Sequence, residues 1–155
     1  MRAMKLGTSV NYAGDFAKSV ERVVELEKAG LDVAWVAEAY SVDAVSQIGY
    51  LAAKTERIEL GTGILNVYSR TAAAMGQTAA GLDMVSNGRF ILGLGASGPQ
   101  VVEGFHGVPY EKPMARIQEY IDAGARTIVF AQGCPTGYMN DNVRLLAEEV
   151  MPAFR

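Results

Sequence analysis

Apolar positions along this chain switch repeatedly between a strand rhythm and a helix rhythm. Residues 4–10 (MKLGTSV) make a short run of strand length. Residues 15–30 (DFAKSVERVVELEKAG) put Phe16, Val20, Val23 and Val24 on one helical face. Asp15 is placed to cap that helix, Lys28 suits its last turn, and Gly30 ends it. The pattern then predicts a strand at 33–38 (VAWVAE) and a helix at 43–55, with Ala44, Ile48, Leu51 and Ala52 on one stripe. A strand at 57–64 (RIELGTGI) precedes a helix at 71–88, opened by Thr71 and closed by Asn87-Gly88. The run at 89–95 (RFILGLG) is almost continuously apolar, as strands buried on both faces are. A helix at 113–124 starts near Pro113, a strand follows at 126–132 (RTIVFAQ), and a helix at 141–154 closes the chain.

Each strand is followed by a helix, giving five βα units in a row. Such units make a parallel sheet covered by helices, an α/β fold with right-handed connections. An open doubly wound sheet and a barrel of βα units both satisfy the pattern. No repeat, linker or low-complexity stretch divides the chain, so residues 1–155 read as one domain.

Composition narrows the function classes. Half of the residues are apolar and 20% are charged, enough for a real core. The net charge of −3 provides no basic field for nucleic acid or an acidic membrane surface. No run reaches the roughly 18 apolar residues of a membrane span, and residues 1–10 lack the pattern of a signal peptide. The single cysteine, Cys134, excludes an internal disulfide and a thiol zinc cluster. The expectation is a cytoplasmic protein, and with His106 as the only histidine no metal cluster is expected.

The glycine spacing Gly93-x-Gly95-x-x-Gly98 matches the dinucleotide-binding fingerprint on paper. That fingerprint belongs after the first strand, with an acidic residue about 20 positions on at the tip of the next strand. Here the glycines follow the fourth strand, and Glu119 falls inside a helix. The context of a nicotinamide site therefore fails, and no Gly-Lys-Ser/Thr marks a P-loop. Two readings remain. The glycines let strand ends sit close to their neighbours, or they let a flat ring approach the backbone where parallel sheets bind ligands.

Residues 60–75 (LGTGILNVYSRTAAAM) support a site at that end. They too run from a strand through glycine into a polar loop with Asn66, Tyr68, Ser69 and Arg70. Arg70 alone reads best as a solvated loop charge. Glu38 ends an apolar strand beside Trp35 and Tyr40, and it is either a proton-relaying carboxylate or one half of a surface salt bridge. His106 and Cys134 occupy separate loops and do not read as a catalytic pair. Met75, Met84 and Met114 read as core filler.

At these residues the chain resembles the luciferase-like family, in the branch that uses coenzyme F420. The run Leu82-Asp83, Ser86, Gly88-Arg89-Phe90 and Leu92-Gly93-x-Gly95 carries the likeness. DVAWVAEAY, AAKTERIELGTGI and GASGPQVVEGFHGVPYEKP extend it over residues 4–120, and 121–155 resembles the last strand and helix of such proteins. The resemblance implies a TIM-type barrel that transfers hydride between the deazaflavin F420 and an organic substrate. In flavin-using members, with FMN, it inserts oxygen. It also implies a bulge after the third strand with a non-prolyl cis peptide, aligning here with Gly63–Ile64. The ring site falls on Gly63, Ile64, Asn66, Gly95, Ala96 and Ser97, with Glu38 as its catalytic polar partner. Some relatives follow that acid with His, where this chain has Ala39.

A full barrel of this type takes about 250 residues. With 155, the chain reads as a barrel lacking units five to seven, where relatives hold the cofactor tail. The expected sheet is an incomplete barrel or open sheet of five parallel strands in the order 5-1-2-3-4. Its apolar edges predict a homodimer. A shortened barrel without activity and with no cofactor bound is the competing reading, and a flavin-dependent monooxygenase is the third.

Overall fold

The computed structural model describes residues 4–122, apart from residues 12, 13 and 41. The expected strand at 126–132, the helix at 141–154 and Cys134 lie outside the described residues. Within them the βα alternation holds. β1 (Gly7–Ser9), β2 (Val33–Val36), β3 (Glu59–Thr62) and β5 (Phe90–Ile91) form a parallel sheet in the order β1-β2-β3-β5. This is the first-to-fourth part of the expected order. A second pair, β4 (Leu65–Asn66) and β6 (Leu94–Gly95), is also parallel.

The helices begin and end where the sequence places their signals. α1 (Phe16–Lys28) is capped by Asp15, which accepts from the Ala17 and Lys18 amides. α2 (Ala44–Lys54) is capped by Asp43 through the Ser46 amide. α3 (Ala72–Val85) is capped by Thr71 through the Ala74 amide. Each cap satisfies donors that have no partner inside the helix. Gly30, at φ +101°, carries the chain out of α1 in a conformation that L side chains rarely adopt. α5 (Pro113–Asp122) starts at the expected proline. Residues 99–102, for which the periodicity predicts no element, form a one-turn helix, α4 (Pro99–Val102). Four residues are too few for periodicity to reveal.

The helix-facing side of the sheet carries the core. Ala34, Val36 and Leu60 are buried with Val20 and Val23 of α1, Ile48 and Leu51 of α2, and Met75 and Leu82 of α3. Met75 is core as expected, but Met84 and Met114 are exposed. On the other face, Trp35 shares a register row with Ser9, Gly61 and Ile91. Its ring lies over Gly61, where an added Cβ would come within 2.3 Å of it.

Two charged side chains fasten the amino-terminal end of the sheet. Glu27 Oε1 accepts from the Glu56, Arg57 and Ile58 amides at 3.0, 2.7 and 2.8 Å. Burial pushes the Glu27 carboxyl up, but these three amides and the Arg57 charge outweigh it and hold its pKa below the ordinary value. Arg89 donates to the carbonyls of Ala52, Thr55, Ile58 and Ser86 and to the Thr55 hydroxyl, at 2.7–3.1 Å. It closes the ends of α2 and α3, whose last carbonyls need donors. The Ser86/Gly88-Arg89 run that carries the family likeness is therefore a structural clamp at the end opposite the ligand face.

Candidate functional site

The strands expected at 57–64 and 89–95 are each broken in two, and the break makes the site. Thr62 Oγ1 donates to the Gly93 carbonyl and accepts from the Gly93 amide, both at 2.8 Å. A side-chain hydroxyl thus takes over from the ladder where β3 and β5 part. Gly93 has no room for a side chain, since a Cβ would sit 2.0 Å from the Thr62 carbonyl oxygen. Beyond the break the strands pair again as β4 and β6, with Leu65 N donating to the Gly93 carbonyl and Val67 N to the Gly95 carbonyl.

The link between β3 and β4 is tied to β2 on its other side. Gly63 N donates to the Val36 carbonyl at 2.8 Å, and Glu38 N to the Ile64 carbonyl at 3.3 Å. The Gly63–Ile64 peptide is cis. The Ile64 side chain lies across Gly95, where a Cβ would be 3.0 Å from Ile64 Cδ1. Asn66 stands beside Gly95 in register. Its Oδ1 accepts from the Tyr68 amide at 3.0 Å, while its Nδ2 is buried with no hydrogen-bond partner among the described residues. Ala96 is half-buried, and Ser97 is exposed in the left-handed region at φ +56°. The carboxyl ends of β2, β4 and β6 thus converge into one ledge carrying Glu38, Gly63, Ile64, Asn66, Gly95, Ala96 and Ser97.

Glu38 is held from several sides. Arg70 grips its carboxylate at 2.8 and 3.1 Å, the Ala44 amide donates to it at 3.1 Å, and the Ser69 hydroxyl at 3.4 Å. The hydrogen bond to Glu38 raises the Arg70 pKa further, against the opposing effect of burial. Arg70 is therefore no solvated loop charge: its side chain is 19% exposed. The reason is its reach across to a carboxylate just beyond the end of β2, which the local sequence does not display.

Two tyrosines border the ledge: Tyr68, from the polar loop that the sequence marks, and Tyr110, from a stretch that it does not. Tyr68 and Tyr110 pack ring to ring, centroids 5.5 Å apart, and burial raises both of their pKa values. Tyr110 has no local sequence signal. Thr62 had a faint one, as a polar residue inside an apolar strand. His106 packs edge-on against Phe105, and no group of metal-ligating side chains occurs among the described residues.

Parallel βα units in sequential strand order, with helices packed on one face of the sheet, match the arrangement of the units of a βα barrel. The chain belongs to the luciferase-like monooxygenase family, whose sequence profile matches residues 3–129. A Mycobacterium tuberculosis protein named for coenzyme F420-dependent oxidoreductase activity is 44% identical over 121 residues, 77% of this chain and 35% of the relative. The coenzyme F420-dependent tetrahydromethanopterin reductase of Methanopyrus kandleri superposes with a TM-score of 0.68 at 24% identity, over 76% of this chain and 38% of that one. The oxygenating constituent of 3,6-diketocamphane monooxygenase from Pseudomonas putida, solved with FMN, gives 0.67 at 18% identity, over 77% and 38%. These two likenesses concern the fold. The chain spans about a third of the length of the curated relatives it matches. Among the described residues, no helix is long and apolar enough to cross a membrane.

Proposed function

We propose that this chain carries the ring-binding ledge of a coenzyme F420-dependent oxidoreductase, which exchanges hydride with a small organic substrate. The glycine-lined break between β3 and β4 carries the reading. It suits a flat heteroaromatic ring in three ways. Gly63 presents backbone without a side chain, Ile64, seated across Gly95, offers a branched apolar surface, and Asn66 Nδ2 is a buried donor lacking an acceptor among the described residues. A polar ring edge supplies such an acceptor, relieving the cost of an unpaired buried amide.

In this reading Gly63 and Ile64 support one face of the ring. Asn66 donates to its polar edge, and Gly95, Ala96 and Ser97 border it through backbone and hydroxyl. The bound deazaflavin supplies the hydride chemistry. The chain's own residues orient the ring and keep water from the supported face. Glu38 is a positioning residue here, acting through Arg70 to set the loop that follows Asn66. The 44% identity to a protein named for F420 chemistry favours F420 over FMN.

Titration of the purified chain with F420 and with FMN tests the proposal. Trp35, the single tryptophan, reports binding on the inner face of the sheet by its emission. F420 is expected to quench it at lower concentration than FMN. Preference for FMN assigns the flavin branch instead, and absence of binding by either overturns the ring site.

The same reading includes a homodimer. Tyr50, Met84 and Val85 leave apolar surface exposed on α2 and α3, and exposed apolar surface on neighbouring helices suits association with a second copy. Light scattering at micromolar concentration is expected to give twice the chain mass, and a monomer rejects the assembly.

A further inference from the structure

We propose that Tyr110 is a positioning residue for the ledge. Its hydroxyl holds the Ser97 turn in the conformation that borders the ring, and Tyr68 keeps Tyr110 in place. The inference rests on the ring-site reading and extends it to side chains that touch no cofactor.

Ser97 has φ +56°, a region that non-glycine residues occupy only when their surroundings enforce it. The enforcing contact is visible: Tyr110 Oη donates to the Ser97 carbonyl at 3.2 Å. Tyr110 is itself fastened. Its ring leans on Tyr68 at 5.5 Å, and its amide donates to the Glu103 carboxylate at 3.0 Å. Tyr68 Oη donates to the neighbouring Glu111 carbonyl at 2.6 Å. Tyr68 is in turn set by Asn66, whose Oδ1 accepts its amide.

The contacts close a circuit. Asn66 and Gly95 are register partners on β4 and β6. From Asn66 the path runs to Tyr68, then to Tyr110 and Glu111, and back through Ser97 to the end of β6. The 110–111 segment thus straps the two strand ends that carry the ledge. Removing one hydroxyl opens the strap without removing any ring contact. The neighbouring amides also offer a reporter. Val101 and Val102 N–H groups both donate to the Gly98 carbonyl at 3.0 Å, directly after the Ser97 turn.

The test compares wild type, Tyr110→Phe and Tyr68→Phe in the full chain by amide hydrogen exchange and by F420 and FMN titration. Glu59→Gln, at the opposite end of the strands, is the control. Tyr110→Phe is expected to speed exchange at Val101 and Val102 by about two- to tenfold, the worth of one neutral hydrogen bond. Cofactor affinity is expected to fall by a similar factor, with Tyr68→Phe following in the same direction and Glu59→Gln moving neither. Unchanged exchange in both tyrosine variants overturns the strap. Faster exchange with unchanged cofactor affinity overturns the positioning role. If wild type binds neither cofactor, the ring-site reading falls, and with it the role of the strap in cofactor binding. The exchange result then still decides whether Tyr110 holds the turn.

Discussion

Arg70 holds Glu38 in a two-pronged ion pair, Nη1 to Oε1 at 2.8 Å and Nη2 to Oε2 at 3.1 Å, with the two side chains 19% and 9% exposed. The pair joins the loop after β4 to the end of β2 and the start of α2. Both charges are largely out of water, so each depends on the other. Arg70→Met is expected to destabilise the fold by about 3 kcal/mol, because it strands a carboxylate in a poorly solvated place. Glu38→Gln combined with Arg70→Met is expected to recover part of that loss. Urea denaturation of the single and double variants measures the coupling.

Glu27 gives the fold a pH dependence with a defined sign. Its carboxyl pKa is lower in the folded chain than in the unfolded one. Its contribution is therefore fully present above the unfolded value of about 4.3 and is lost as pH falls through the lower folded value. Glu27→Gln is expected to be less stable than wild type at pH 7. The difference should narrow on acidification from about pH 4.3 downward. Melting curves at pH 3–7 check this, and a constant difference across that range rejects it.

Gly93, at the strand break, and Gly95, on the ledge, are expected to respond differently to the same substitution. At Gly93 an added Cβ meets the Thr62 backbone oxygen at 2.0 Å, which cannot move without breaking the β3–β5 junction. Gly93→Ala is expected to cost several kcal/mol or prevent folding, of order 3 kcal/mol or more as for other overpacked sites. At Gly95 the Cβ meets only the Ile64 side-chain end at 3.0 Å. Gly95→Ala is expected to fold with a loss of about 1 kcal/mol and to weaken cofactor binding by displacing Ile64. Circular dichroism melts paired with F420 titration separate the two outcomes.

Arg89 contacts five acceptors with one planar fork. Arg89→Lys is expected to be nearly as damaging as Arg89→Ala, at about 2–3 kcal/mol, because an ammonium cannot reach the same set. The effect should appear in stability and leave cofactor affinity per folded molecule unchanged. A selective loss of affinity in Arg89→Lys contradicts the structural role.

Much of the fold was legible because its signals are local. Asp15, Asp43 and Thr71 cap helices through amides two or three residues away. Gly30 and Gly88 take positive φ at or just beyond helix ends, and the apolar periodicity separates strands from helices over windows of a few residues. The parallel βα class follows from that alternation alone. The family likeness then placed the ledge at residues 63–66 and 95–97.

What the sequence could not display are relations across long separations. Thr62 meets Gly93 31 positions away and Arg70 meets Glu38 32 positions away. Tyr110 reaches Ser97 across 13. Periodicity records which face of an element is buried. It does not record which side chain of another element stands opposite, because that depends on strand register and on where a ladder breaks. The strands at 57–64 and 89–95 read as continuous because one polar residue, Thr62, and single glycines are too little to interrupt a run of strand length. Only the meeting of a threonine hydroxyl with a side-chain-free neighbour splits them. Among the described residues, the sequence alone therefore determined the four long helices, the strand segments between them and the parallel class, but neither α4 nor the two strand breaks. The tertiary structure decided that Arg70 is buried with Glu38, that Arg89 is a clamp, and that the glycines form a ledge between two strand pairs. Each of those outcomes is a contact whose geometry exists only once the sheet has assembled.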